Sequence, residues 1–174
     1  MISQNIILTG FMGTGKTVVG KILAWRLARR FLDTDAQVER LSGLTVPEIF
    51  ARHGESYFRD LESEVIESLP RYPAGSLVAA TGGGAVLREN NRRLLRRAGV
   101  VVLLTASPAA ILSRVGGDAG RPLLAEAPVP VDAVLSLLKS REPYYLECDF
   151  KIDTTDKKPS RIAEEIMTGL RSVL

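Results

Sequence analysis

Cysteine, histidine and tryptophan occur once each in these 174 residues. A single cysteine, Cys148, excludes an intramolecular disulfide framework and suits a reducing compartment. A single histidine, His53, excludes a histidine-rich metal site. No apolar run approaches the roughly 20 residues of a membrane-spanning helix. The opening "MISQNIILTG" has neither the basic segment nor the small-residue cleavage site of a secretory signal. The cytoplasm is the expected location, with no membrane partner. Low complexity and internal repeats are also missing. Aromatic residues are scarce at 6% and do not interleave with the basic ones, so the net charge of +3 does not indicate a nucleic-acid surface. The densest basic run, "RRLLRR" at 92–97, reads as the wet face of an amphipathic helix. A slight excess of arginine and lysine suits an enzyme whose substrates are anions.

The remaining composition, 45% hydrophobic and 25% charged, is that of a soluble globular protein, and the length suits one domain over 1–174. Short apolar runs alternate with helical periodicity about five times. "NIILT" reads as a buried strand, and residues 16 to about 30 read as a helix through Val19, Ile22, Leu23 and Leu27. "FLDTD" is a second strand with acidic residues at its C-terminal end. Helical segments follow in "VPEIFARHG", with Pro47 at its first helical position and Gly54 after its last turn, and in "ESYFRDLESEVIESL" beyond that glycine. "SLVAAT", "VVVLLT" and "DFKID" are further strands, separated by helices that end at Gly99 or begin at Ser107 and Pro108. Residues 116–130 are rich in glycine and proline and read as a mobile loop. Alternation of this kind predicts an α/β parallel sheet covered by helices on both faces, with ligands at the C-terminal strand ends.

Three segments with chemistry-bearing residues fall at those ends. Gly10-x4-Gly15-Lys16-Thr17 matches the phosphate-binding loop and lies between a strand and a helix. Glycines let backbone N–H groups turn inward around phosphate oxygens, and the helix N-terminus adds its positive dipole end. Lys16 is placed to reach β- and γ-phosphates, and the Thr17 hydroxyl to ligate Mg²⁺. In "DTD", Asp33 and Asp35 are two apart, and on an extended strand both carboxylates face one cleft. One would serve Mg²⁺ through water and the other would hold an acceptor hydroxyl. "TGGG", Thr81 to Gly84, suggests a ligand pressed against bare backbone. Arg121 lies in the predicted loop, where a lid arginine would stabilise transferring phosphate. Arg59 and Arg141 suit bidentate contacts to the carboxylate of a small acidic substrate. His53 reads as a helix-end residue, Trp25, Tyr144 and Tyr145 as packing, and Cys148 as a buried or half-buried bystander.

Taken in order, "GFMGTGKTVVGKILA", "FLDTD", "GESYFRDLE", "TGGGAV", "RPLL" and "REPYY" resemble the shikimate kinase family nearly from end to end. The resemblance implies a three-layer P-loop fold of the nucleoside-monophosphate-kinase type, with a five-stranded parallel sheet in the order 2-3-1-4-5. It implies a substrate-binding region over about 33–61 and a lid over about 114–126. The implied reaction passes the γ-phosphate of ATP to the 3-hydroxyl of shikimate, with Mg²⁺ as the cofactor. By the same resemblance Met12, Gly13, Thr14, Gly15, Lys16 and Thr17 wrap the ATP phosphates. Thr17 and Asp33 serve the metal, Asp35 binds the substrate hydroxyls, and Arg59 and Arg141 grip the carboxylate. Gly83, with its neighbour Gly82, supplies a backbone contact to substrate, and Arg121 is the lid arginine. Arg114 and Pro159, beside Lys158, are the expected adenine contacts.

The residues by themselves leave other readings open. A gluconate kinase of the same fold also needs a carboxylate clamp. A nucleoside monophosphate kinase would need a base-binding helical insertion that is not evident. A regulatory nucleotide-binding module is opposed by the full set of Lys16, Thr17, Asp33, Asp35 and Arg121. Small size and the lack of an apolar seam predict a monomer.

Overall fold

The computed structural model describes residues 3–115 and 131–173. The chain runs β1 (Ile6–Thr9), α1 (Lys16–Arg26), β2 (Arg30–Asp33), α2 (Thr34–Ser42), α3 (Val46–Ser68), β3 (Leu77–Ala80), α4 (Glu89–Ala98), β4 (Val100–Thr105), α5 (Pro108–Val115), α6 (Val131–Tyr145), β5 (Phe150–Asp153) and α7 (Pro159–Val173). Five strands form one sheet in the order β2-β3-β1-β4-β5, as the family resemblance implies. Every pairing is parallel. The lid expected over about 114–126 lies, beyond Val115, outside the described residues, and Arg121 with it. Among the described residues no helix is long and apolar enough to cross a membrane.

Strand β1 is central, and its alternation divides the core. Ile6 and Leu8 pack with Val19 and Leu23 of α1 and with Ile162, Ile166 and Leu170 of α7. Ile7 packs on the opposite face with Ile66, Leu69 and Leu95. A register of Ile6 against both Val78 and Val100 aligns the strand ends, so Gly10, Thr81 and Ala106 leave the sheet at one edge. There the loops can share a cleft.

Several boundaries follow from local chemistry. Thr45 and Glu48 close a capping box on α3, with the Glu48 amide on Thr45 Oγ1 at 3.4 Å and the Thr45 amide on Glu48 Oε2 at 2.9 Å. Gly54 leaves the helical conformation at φ 81° and ψ 173°, so α3 is two helical segments joined at a kink where the sequence predicts a stop. The Ser107 hydroxyl accepts the Ala110 amide at 3.2 Å and caps α5, as expected. Helix α1 ends earlier than the periodicity predicts, because Leu27 caps it and Ala28 turns the chain at φ 52° towards β2. Trp25 is 82% exposed and so does not pack into the core formed by the described residues.

Asn5 ties the start of β1 to three other segments. Its side-chain oxygen accepts the amides of Ser76 and Leu77 at 2.9 and 3.0 Å. Its amide nitrogen donates to the carbonyls of Ala98 at 3.2 Å and Tyr72 at 3.4 Å. Asn5→Ala would strand several buried backbone groups together. Urea unfolding is expected to show a loss of about 2 to 3 kcal/mol, and an unchanged midpoint would contradict this role.

Candidate active site

The phosphate loop leads from β1 into α1 with its donors pointed outward. Gly15 occupies the N-cap in a left-handed conformation, φ 90°, that only glycine adopts without strain. No side chain caps α1 and its first turn has no acid, so the amides and the positive dipole end remain for an anion. Lys16 is folded back over the loop, its ammonium donating to the carbonyls of Gly10 and Phe11 at 2.8 and 2.9 Å. Thr14 is buried beneath the loop and fastens it by a 2.8 Å bond to the Phe11 carbonyl. Thr17 donates to Asp33 Oδ2 at 2.8 Å. A hydroxyl and a carboxylate at this distance form a hard-oxygen pair that fits a Mg²⁺ ion, whose remaining ligands are ordinarily water and phosphate.

The placement of "DTD" departs from the strand-based expectation. Asp33 ends β2, but Asp35 lies in the first turn of α2. Asp33 Oδ1 caps that helix by accepting the amides of Asp35 and Ala36 at 3.1 and 3.5 Å. A helix cap, and not strand alternation, therefore sets the relation between the two carboxylates. Both nevertheless line one cavity of about 520 Å³, together with Met12, Gly13, Gly15, Lys16, Thr17, Arg59, Gly82, Gly83, Arg114 and Arg141. Val46, Pro47, Phe50 and Phe58 supply an apolar wall that the sequence reading did not single out.

Glu62, also overlooked, is fully buried in the same cavity. Its Oε2 accepts from Arg59 Nη1 at 2.8 Å, while Oε1 and Asp35 Oδ1 are buried without a hydrogen-bond partner among the described residues. Gly82 sits between those two oxygens, and a Cβ there would collide with both. At Gly84 a Cβ would overlap the Arg59 guanidinium. Part of the room left by the glycine run is thus filled by the protein's own charged side chains. The Gly82 amide donates to Thr34 Oγ1 at 2.9 Å, which fixes the run against α2. Burial, reinforced by the Glu62 and Asp33 carboxylates, pushes the Asp35 carboxyl up from 3.8 to about 7, with Lys16 and Arg59 opposing. Burial also raises Glu62, against the pull of Arg59.

Arg59 and Arg141 are both buried and reach the cavity from different helices, α3 and α6. Arg59 additionally holds Glu55 Oε1 through Nε and Nη2, at 3.1 and 2.9 Å. Arg141 lies over the Phe11 ring at 5.8 Å and donates to the Gly83 carbonyl at 3.4 Å. The Tyr145 hydroxyl donates to that carbonyl too, and burial pushes its pKa up to about 12, so it remains a donor. Tyr145 is thus more than packing, whereas Tyr144 is partly exposed beneath the Arg92 guanidinium. Arg114 connects the phosphate loop to the turn after β5, donating to Gly13 O at 3.1 Å and to Thr154 O at 2.9 Å. Lys158 and Pro159 are exposed where α7 begins and do not line the cavity. Cys148 is half-buried, as expected.

The raised Asp35 carboxyl has a consequence for stability. Between pH 3.8 and about 7 the folded chain keeps a proton that the unfolded chain releases, so stability falls as pH rises across that window and then levels off. Asp35→Asn removes this penalty. The variant's advantage is expected to grow from about pH 4 to 7, reaching on the order of 4 kcal/mol. Denaturant titrations at several pH values test this, and parallel curves for the two proteins would contradict it.

Comparisons with known proteins identify the family and the fold. The family model described as shikimate kinase matches residues 12–171. A shikimate kinase of Geobacter sulfurreducens is 49% identical over 168 residues, covering 97% of this chain and 91% of the relative. One from Moorella thermoacetica is 48% identical over 170 residues, covering 98% and 96%. The structure of Acinetobacter baumannii shikimate kinase in complex with shikimate superposes with a TM-score of 0.92 at 39% identity, covering 97% of this chain and 93% of that one. A gluconokinase from Sinorhizobium meliloti, at 18% identity and a TM-score of 0.62, shares the fold alone; it covers 99% of this chain and 94% of its own. With a family model spanning most of its length and relatives near half identity, the chain belongs to the shikimate kinase family.

Proposed function

We propose that this protein transfers the γ-phosphate of ATP to the 3-hydroxyl of shikimate, giving shikimate 3-phosphate and ADP on the chorismate route to aromatic amino acids. The observation that carries the reading is the convergence of Arg59, Arg141 and Asp35 around Gly82–Gly84, next to the phosphate loop. A small carboxylate with several hydroxyls needs such a pocket: two guanidiniums for its charge and one carboxylate to select a hydroxyl.

In this reading the amides of Met12 to Thr17 cradle the ATP phosphates. Lys16 exchanges the Gly10 and Phe11 carbonyls for phosphate oxygens. Thr17 and Asp33 would hold Mg²⁺, which when bound neutralises phosphate charge. Asp35 accepts a hydrogen bond from the acceptor hydroxyl and orients it for in-line attack. A carboxyl poised at about 7 is half ionised at neutral pH, so it can also take the hydroxyl proton as the new bond forms. Gly83 presents backbone to the substrate, its carbonyl pinned by Tyr145 and Arg141. Arg121 would close over the transferring phosphate, and Arg114 with the Lys158–Pro159 turn would flank adenine. A cytoplasmic monomer fits the composition.

Coupled ADP release with Mg-ATP tests the reaction: turnover is expected with shikimate and not with gluconate, and the reverse preference would overturn the substrate assignment. Arg59→Lys keeps the charge but loses the planar fork. Its KM for shikimate is expected to rise about tenfold or more while that for ATP is unchanged, and an unaltered shikimate KM would contradict the clamp.

A further inference from the structure

Arg59 carries two carboxylates, and they are not equivalent. Glu62 is fully buried and bound to Nη1 at 2.8 Å, so it has no water to retreat to. Glu55 takes the opposite edge, Nε and Nη2, through the single oxygen Oε1, and its side chain is 47% exposed. It is also the first residue beyond the Gly54 kink, where φ is 81° and the space around a Cβ is open. Glycine there serves the dihedral angle and not a close contact, and Glu55 stands beside a joint in α3.

Charge decides which partner yields. The cavity wall holds three guanidiniums, Arg59, Arg141 and Arg114, against the carboxylates of Asp35, Glu62 and Glu39, with Glu55 on the Arg59 edge and Asp33 and Lys16 towards the phosphate loop. An incoming carboxylate adds another negative charge to a site where, among the described residues, Asp35 Oδ1 and Glu62 Oε1 are already buried without a hydrogen-bond partner. Release of Glu55 into water cancels that addition. Release of Glu62 would bury a lone anion.

We propose that Glu55 is a stand-in for the substrate carboxylate: it occupies the Nε–Nη2 edge of Arg59 and gives that edge up when substrate binds. Glu55 is then a positioning residue that competes with substrate. It keeps the guanidinium extended into the cavity, at the expense of some affinity. The inference rests on the carboxylate-clamp reading above.

Steady-state kinetics of wild type, Glu55→Gln and Glu64→Gln, the last an exposed acid further along α3, test the exchange. Glu55→Gln is expected to lower the KM for shikimate about two- to fivefold, the range a half-exposed ion pair commands. The KM for ATP and kcat stay as in wild type, and Glu64→Gln changes nothing. A shikimate analogue with a carboxamide in place of the carboxylate should gain nothing from Glu55→Gln. An unchanged or raised shikimate KM would overturn the exchange and leave Glu55 as a brace for Arg59. An equal fall in Glu64→Gln, or for the carboxamide, would overturn it in favour of a diffuse field effect. Absence of shikimate turnover in the wild type would overturn the functional reading and the exchange with it.

Discussion

The site depends on a crowding of like charge around one glycine. Asp35 and Glu62 place buried, unpartnered carboxylate oxygens on either side of Gly82, where any side chain would collide with them. Arg59 is the counterweight, bound to Glu62 and kept against Gly84. An arrangement of this kind opposes folding, because buried carboxylates close together disfavour ionisation. What it gives is a carboxyl held near neutrality beside the loop that binds phosphate. Stability and chemistry are coupled through the same residue, and a strained charge balance of this type is commonly found at functional sites.

The sheet makes this possible. Parallel pairing sends Thr9, Asp33 and Thr81 to one edge, so a phosphate loop, a helix cap and a glycine run meet without long connections. Each segment is held in place by contacts of the protein's own. Lys16 rests on loop carbonyls, Asp33 caps α2 while accepting from Thr17, and Gly83 O is already bonded to Tyr145 and Arg141. Binding then exchanges contacts instead of creating them on a disordered frame, which lowers the ordering entropy that recognition costs.

Much of this was legible in the residues. Alternating apolar runs and punctuating glycines located the strands and helices, because burial on both sheet faces demands unbroken apolar strands. Gly54, Gly99 and Ser107 marked real breaks and caps. The strand order came from the family resemblance and not from periodicity. Other features were hidden for physical reasons. The three residues of "DTD" fit an extended run as well as a helix start, and only the capping bond to Asp33 places Asp35 in the helix. Glu62 stands three residues after Arg59, a spacing that on most helices means a solvated pair, and its burial is set by the glycine run of a distant segment. Trp25 shows the converse, an apolar side chain that the core of the described residues leaves exposed.

The most direct measurement of the charge crowding is a ¹³C NMR titration of the Asp35 side-chain carboxyl in the ligand-free protein, repeated with Glu62→Gln. A midpoint near 7 that moves down when Glu62 is neutralised is the expected result. A midpoint near the ordinary 3.8, indifferent to Glu62, would contradict the account.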